Sequence, residues 1–130
     1  MICVGSLAHD VFVMEDGNDV AYGYAGNDYF CGGAGNDTQF GGDGGGPGTS
    51  TGVNTYVVRD IPSVQVVQDF TPGNDIVRFE GSGFASFADL VAHSFQNGAY
   101  LVVQVDGDTA VWLNGASLAT ITSASFSIIG

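Results

Sequence analysis

The chain has 130 residues, with fourteen acidic side chains against two basic ones and a formal charge of −12 at neutral pH. That balance argues against binding nucleic acid or anionic lipid surfaces, and the length suits one domain or a short repeat array with a cap. No run of about eighteen apolar residues is present to span a membrane, and the opening MICVGSLAHD has neither the basic start nor the apolar length of a cleaved secretory signal.

From Gly5 the chain falls into nonapeptides: GSLAHDVFV (5–13), MEDGNDVAY (14–22), GYAGNDYFC (23–31), GGAGNDTQF (32–40) and a broken GGDGGGPG (41–48). Asp10, Asp19, Asp28 and Asp37 recur nine residues apart, each closing a turn that precedes three strand-like residues. Glycines at the first, second and fourth places allow positive φ and leave carbonyl oxygens bare enough to converge on something small. In the extended part the middle side chain points away from its neighbours, which selects Phe12, Ala21, Phe30 and Gln39. A unit this short cannot bury an apolar face alone, so the units must stack and share a core.

If each unit reverses direction at its turn, turns eighteen residues apart lie one above another. Asp10 then faces Asp28, and Asp19 faces Asp37. Carboxylates one strand spacing apart, about 4.8 Å, repel strongly unless a cation lies between them. Two carboxylates with several glycine carbonyls suit Ca²⁺, which takes roughly 6–8 oxygens at about 2.3–2.6 Å, better than Mg²⁺ with its strict octahedron. Backbone oxygens near Gly17, Gly23, Ala25, Gly26, Gly32, Ala34, Gly35 and Gly41 are the expected partners, and Asp43 is the candidate to replace a missing fifth Asp. Fourteen acids and twenty-one glycines both oppose compaction, by self-repulsion and by backbone entropy, so folding of this segment is expected to be coupled to metal.

Residues 41–53 read as a last loop and a linker. Beyond them, strands are expected at 55–60, 64–70, 76–80, 99–105, 110–114 and 126–129, with Asn97-Gly98 and Asp106-Gly107-Asp108 supplying turns. Ser86 can cap one helix through FADLVAHSF, with Phe87, Leu90, Val91 and Phe95 on one face. The expected core is Tyr56, Val58, Phe70, Val77, Phe79, Leu101, Val103, Val105, Trp112 and Phe126. Asp69 and Asp75 bracket TPGN, which suits either a further calcium or a hairpin turn with solvated acids. Cys3 and Cys31 carry no framework spacing and are expected unpaired, Cys31 in a strand and Cys3 at a frayed end. His9 and His93 lie far apart, and there is no His-Glu-x-x-His pattern or nucleophile elbow, so a catalytic site is not expected in this chain.

The nonapeptides resemble the haemolysin-type calcium-binding repeat, also called the RTX repeat, whose pattern is G-G-x-G-x-D-x-U-x with U a large apolar residue. Units 23–31 and 32–40 match well; unit 14–22 keeps Gly17, Asn18 and Asp19, unit 5–13 has Ala8 for Gly, Gln39 replaces an apolar residue, and Gly46 stands where a fifth Asp would fall. NTYVV and VQVVQDFTPGNDIVRF within 54–80, GFASFADL (83–90), DGDTAVWLNGASLATIT (106–122) and SFSII (125–129) are similar to the flank that follows such repeats in type I-secreted proteins. The resemblance implies an all-β fold: a parallel β-roll over 5–48 that folds on calcium outside the cell, and a β-rich cap over 49–130 with one short helix. It further implies an uncleaved C-terminal secretion signal read by a type I secretion apparatus, and a parent chain upstream. That parent would be a secreted metalloprotease, lipase, polysaccharide epimerase or adhesin.

Overall fold

A computed structural model describes residues 2–42 and 52–129. The strands wind alternately into two sheets. One carries β1 (Ile2–Val4), β3 (Val20–Tyr22), β5 (Gly35–Phe40) and β7 (Ser63–Val67), then β11 (Thr109–Asn114), β10 (Tyr100–Gln104) and β9 (Ser94–Asn97). The other carries β2 (Val11–Val13), β4 (Tyr29–Cys31), β6 (Thr55–Arg59), β8 (Ile76–Glu80) and β12 (Phe126–Ile129). Every pair in the second sheet is parallel; only the β9–β10 and β10–β11 pairs of the first are antiparallel. The expected architecture, a parallel roll followed by a β-rich cap with one short helix, is the one observed.

Two inward ladders make the core. In the second sheet Phe12, Phe30, Tyr56, Val77 and Phe126 stand in direct register. Phe12 and Phe30 stack with centroids 4.8 Å apart, and Phe30 and Tyr56 at 5.0 Å. In the first sheet the matching ladder is Cys3, Ala21, Gln39, Val67 and Leu113. Gln39 is completely buried there, and its Nε2 donates to Gln65 Oε1 at 2.6 Å. That bond offsets part of the cost of burying the Gln39 amide, whose Oε1 is buried with no hydrogen-bond partner among the described residues. One apolar cluster runs from Phe12 to Phe126, and both sheets cross from the repeats into the following residues without a break, as in the Thr38↔Val66 and Tyr29↔Thr55 pairs.

Four expectations are corrected. The helix α1 spans Phe87–Ala92, with Ser86 Oγ accepting the Asp89 N–H as foreseen, but it stops at His93 and the chain turns into β9. Phe95 is therefore a half-exposed strand residue, because Gly98 at φ +60° folds 94–97 back onto β10 as a hairpin. Trp112 faces away from the core and meets Tyr100 edge-on at 5.7 Å, while Val111 and Leu113 point inward. The run Ala110–Leu113 is apolar throughout, so alternation could not choose its face. Third, the 68–75 connection is no hairpin with solvated acids: β7 and β8 lie in opposite sheets, and Asp69 and Asp75 are buried. Cys3 pairs within β1 rather than fraying, and neither cysteine is in a disulfide.

Phe30 sits at the centre of the aromatic stack. Phe30→Ala is expected to lower the unfolding free energy in saturating calcium by about 3–5 kcal/mol; chemical denaturation measures this, and a loss under about 1 kcal/mol would contradict the packing described.

Candidate metal centre

The winding sends its turns to two edges of the roll. One edge stacks the turns 5–10, 23–28, the described part of 41–54, and 68–75. The other stacks 14–19, 32–37 and the short connection Asp60–Ile61–Pro62. The sixth-place aspartates line up eighteen residues apart as expected: Asp28 Oδ1 accepts the Asp10 N–H at 2.9 Å, and Asp37 Oδ1 accepts the Asp19 N–H at 3.0 Å. A second rung forms at the fifth place. There Asn27 donates its N–H to His9 Nδ1 at 2.7 Å, and Asn36 donates its N–H to Asn18 Oδ1 at 3.0 Å.

The register continues where the nonapeptide spelling does not. Asn54 Oδ1 accepts the Asp28 N–H at 2.9 Å, and Asp75 Oδ1 accepts the Asn54 N–H at 3.1 Å. Gly52-Val53-Asn54 and Gly73-Asn74-Asp75 thus occupy the places of Gly26-Asn27-Asp28 in later coils. The Gly-Asn-Asp triplet at 73–75 was the sequence signal for this, masked by irregular spacing. Asp69 Oδ1 and Oδ2 accept the N–H groups of Gly41 and Gly42, both at 2.7 Å, and Asp75 Oδ2 accepts the Thr71 N–H at 2.9 Å.

Glycine is required at two kinds of place in these turns. Gly26 and Gly35, at the fourth place, hold φ of +101° and +103°. Tyr24, at the second place, is the one non-glycine among the described residues with positive φ, at 63°. First-place glycines are needed instead for space. A methyl group on Gly5 would lie 2.7 Å from Asp10 Oδ2 and 2.8 Å from the Gly23 carbonyl oxygen. On Gly23 it would collide with Asp28 Oδ2 and lie 2.9 Å from the Gly41 carbonyl oxygen. At each of these places a carboxylate oxygen and a carbonyl from the next turn converge on one small volume.

The remaining predicted residues divide by what they do. Ala25 and Gly26 lie in the 23–28 turn, and Gly32, Ala34 and Gly35 in the 32–37 turn. The Ala34 carbonyl accepts the Gly17 N–H at 3.0 Å, tying the two turns of the second edge together. A methyl group on Gly35 or Gly52 would collide with the carbonyl oxygen of Gly17 or Gly26 in the turn below. Asp43 lies outside the described residues.

Electrostatics at these edges is one-sided. Burial pushes the Asp28 carboxyl above its ordinary value, the Asp10 N–H opposes that rise, and the Asp10 charge adds to it. Burial likewise raises Asp37, against the bonds from Gln65 and the Asp19 N–H. The buried Tyr56 hydroxyl is held well above its usual range by burial first, then by the charges of Asp75, Asp69 and Asp28. Neither arginine relieves this field, since Arg59 and Arg78 both pair with Glu80, at 3.1 and 2.8 Å, and His9 opposes the rise at Asp28 only as its smallest contribution. Asp28 Oδ2 is buried with no hydrogen-bond partner among the described residues. An ionised carboxylate oxygen in that position is costly, and a hard cation drawn to oxygen answers the need. Among the described residues no three His, Cys, Asp or Glu side chains converge. Among the described residues the oxygens that converge at these edges are aspartate and backbone carbonyl oxygens, a donor set that suits calcium rather than zinc.

Stacked turns lined by carbonyls and aspartates on a parallel winding define a calcium-binding β-roll. Residues 5–39 match the family of RTX calcium-binding nonapeptide repeats, in four copies, and this segment is an RTX repeat array: a calcium-binding module, not a catalytic one. Among solved structures the fold is similar to that of the extracellular lipase LipA from Serratia marcescens, at a TM-score of 0.59 and 21% identity over 97% of this chain. The chain spans 20% of the length of that lipase. It is also similar to the AlgE6R3 subunit of the Azotobacter vinelandii mannuronan C5-epimerase, at a TM-score of 0.49 and 23% identity over 94% of this chain and 79% of that one. No significant match was found among curated proteins.

Two outcomes are expected. Gly23→Ala removes one calcium equivalent in a calorimetric titration, whereas Gly107→Ala, with open space around it, removes none. The second concerns pH. Because the folded-state values of Asp28 and Asp37 are raised, their contribution to the metal-free fold is fully present below the unfolded carboxylate pKa of about 3.9 and is lost as pH rises through the folded values. In chelator, stability should therefore fall as pH climbs above the unfolded carboxylate value and through the raised folded ones. In calcium, which needs the ionised carboxylates, it should rise over the same range; denaturation curves at stepped pH with and without calcium read the two slopes.

Proposed function

We propose that residues 5–48 bind calcium between stacked turns, and that this binding couples folding of the roll to the calcium concentration outside the cell. Asp10, Asp19 and Asp28 are the ionised ligands in this reading, and Asp37, expected among them, has its two oxygens on the Asp19 N–H and the Gln65 amide. Carbonyls of Gly17, Gly23, Ala25, Gly26, Gly32, Ala34, Gly35 and Gly41 are the pool from which the shells are completed. Asp69 and Asp75 close the 68–75 turn as N–H acceptors and steady the coil below. The observation that carries the reading is Asp28 Oδ2, buried without a hydrogen-bond partner beside the Gly41 carbonyl.

Residues 49–130 serve as the cap in this proposal. They extend both sheets of the same core and place β9, β10 and α1 beyond the last parallel coil. The chain acts as the non-catalytic end of a longer secreted protein, carried out by a type I secretion apparatus that reads an uncleaved C-terminal signal. An enzyme of the lipase class upstream is favoured over an adhesin by the fold similarity, in which a chain of this size matches 20% of a much longer protein. No helix among the described residues is long and apolar enough to cross a membrane.

Far-UV circular dichroism during a calcium titration tests the switch. The signal should change from largely unstructured in chelator to β-rich, with a midpoint in the ~10⁻⁴–10⁻³ M range of extracellular modules. Asp28→Asn should move that midpoint up by about tenfold, or about 1.4 kcal/mol. A spectrum equally structured in excess chelator would overturn the proposal.

A further inference from the structure

We propose that the side-chain amide of Gln65 occupies the place a cation would take above turn 32–37 on the second edge. The inference rests on the calcium reading given above.

On the first edge the volume beside Gly23 is bounded by Asp28 Oδ2 and the Gly41 carbonyl. By the repeat register, the equivalent volume on the second edge lies beside Gly32, bounded by Asp37 Oδ2. A methyl group on Gly32 would meet something different there, the terminal amide of Gln65. Gln65 stands directly opposite Asp37 in the β5–β7 pair and is buried. Its Nε2 donates to Asp37 Oδ2 at 2.9 Å and to the Gly33 carbonyl at 3.2 Å. A carboxylate oxygen and a turn carbonyl are the oxygens a calcium would take, and here a neutral NH₂ group carrying partial positive charge takes them. The two orientations of the amide are not equivalent, because Gln39 Nε2 donates to Oε1 at 2.6 Å and so points the NH₂ end at the oxygens.

The winding gives the reason. The connection that covers turn 32–37 is Asp60–Ile61–Pro62, between β6 and β7, too short to form a glycine-rich turn, and its Pro62 carbonyl is engaged by the Gly35 N–H at 3.1 Å. Without a substitute, Asp37 Oδ2 would be a buried anion with no partner, which costs far more than a neutral group in the same state. Gln39 and Gln65 together solve this. The departure of Gln39 from the apolar rule of its repeat is then explained, since an apolar residue there could not hold the Gln65 amide in orientation.

Calorimetric calcium titrations of the wild-type chain and of Gln65→Glu test the plug. The glutamate keeps an oxygen to accept from Gln39 but turns the other toward Asp37, making a two-carboxylate position. Gln65→Glu should bind one calcium equivalent more than wild type. Its metal-free form should be less folded, and calcium should restore it. Equal stoichiometry in the two proteins overturns the inference. Should Gln65→Glu fail to fold in excess calcium, Gln65→Ala decides, because it opens the same volume without added charge: an extra equivalent supports the plug and an unchanged count overturns it. A wild-type chain that binds no calcium at all would instead sink the functional reading, and so the two failures are distinguishable.

Discussion

Each coil of the roll is tied to the one before it by an aspartate or its substitute accepting a backbone N–H from the coil below, as Asp28 does from Asp10 and Asp37 from Asp19. That bond sets the vertical register and, in the same act, brings carboxylates to about one strand spacing, where at an effective dielectric near 20 they repel by about 3 kcal/mol. The rest of the design follows from this conflict. Glycines open the volume in which a cation can sit, carbonyls turn into it, and both arginines are kept away on the outer face with Glu80. Where the column continues past the repeats, Asn54 replaces Asp and keeps the N–H acceptor without the charge. A neutral amide thus relieves repulsion on the first edge, much as Gln65 does on the second.

The core cannot make up for the edges by itself. On one side of the roll it has the Phe12–Phe30–Tyr56 stack, while the opposite ladder offers Ala21 and Gln39. Apolar contact is richer toward the cap, where Phe79 packs against Phe84 and Phe126 and α1 inserts Leu90. The structure therefore grades from a cap held by burial to repeats held by burial plus metal. Folding that begins at the cap and propagates into the repeats as calcium arrives is the behaviour expected of a solenoid with unequal units.

Much of this was legible in the chain. The nine-residue phase of Asp10, Asp19, Asp28 and Asp37 predicts alternate winding, and with it which aspartates meet, which side chains point inward and which turns share an edge. What stayed hidden depends on contacts between distant coils. Nothing local marks Gln65 as the partner of Asp37, because twenty-eight residues separate them. Nothing local marks Asn54 as an aspartate substitute either, since the loop before it breaks the nine-residue count. For Asp69 and Asp75 the sequence leaves a further calcium and a hairpin turn both open, because TPGN is a good turn sequence and a β-roll uses such a turn to change sheets. The outward face of Trp112 is hidden for a different reason, its neighbours being apolar on both faces.

The central claim is that the carboxylates can be held in register at the edges because cations lie among them. A crystal structure of the chain grown with abundant calcium tests this most directly. Ion density is predicted within coordination distance of Asp10 Oδ2 and the Gly23 carbonyl, and again of Asp28 Oδ2 and the Gly41 carbonyl. Aspartates turned out into solvent, with no ion between the coils, would contradict the account.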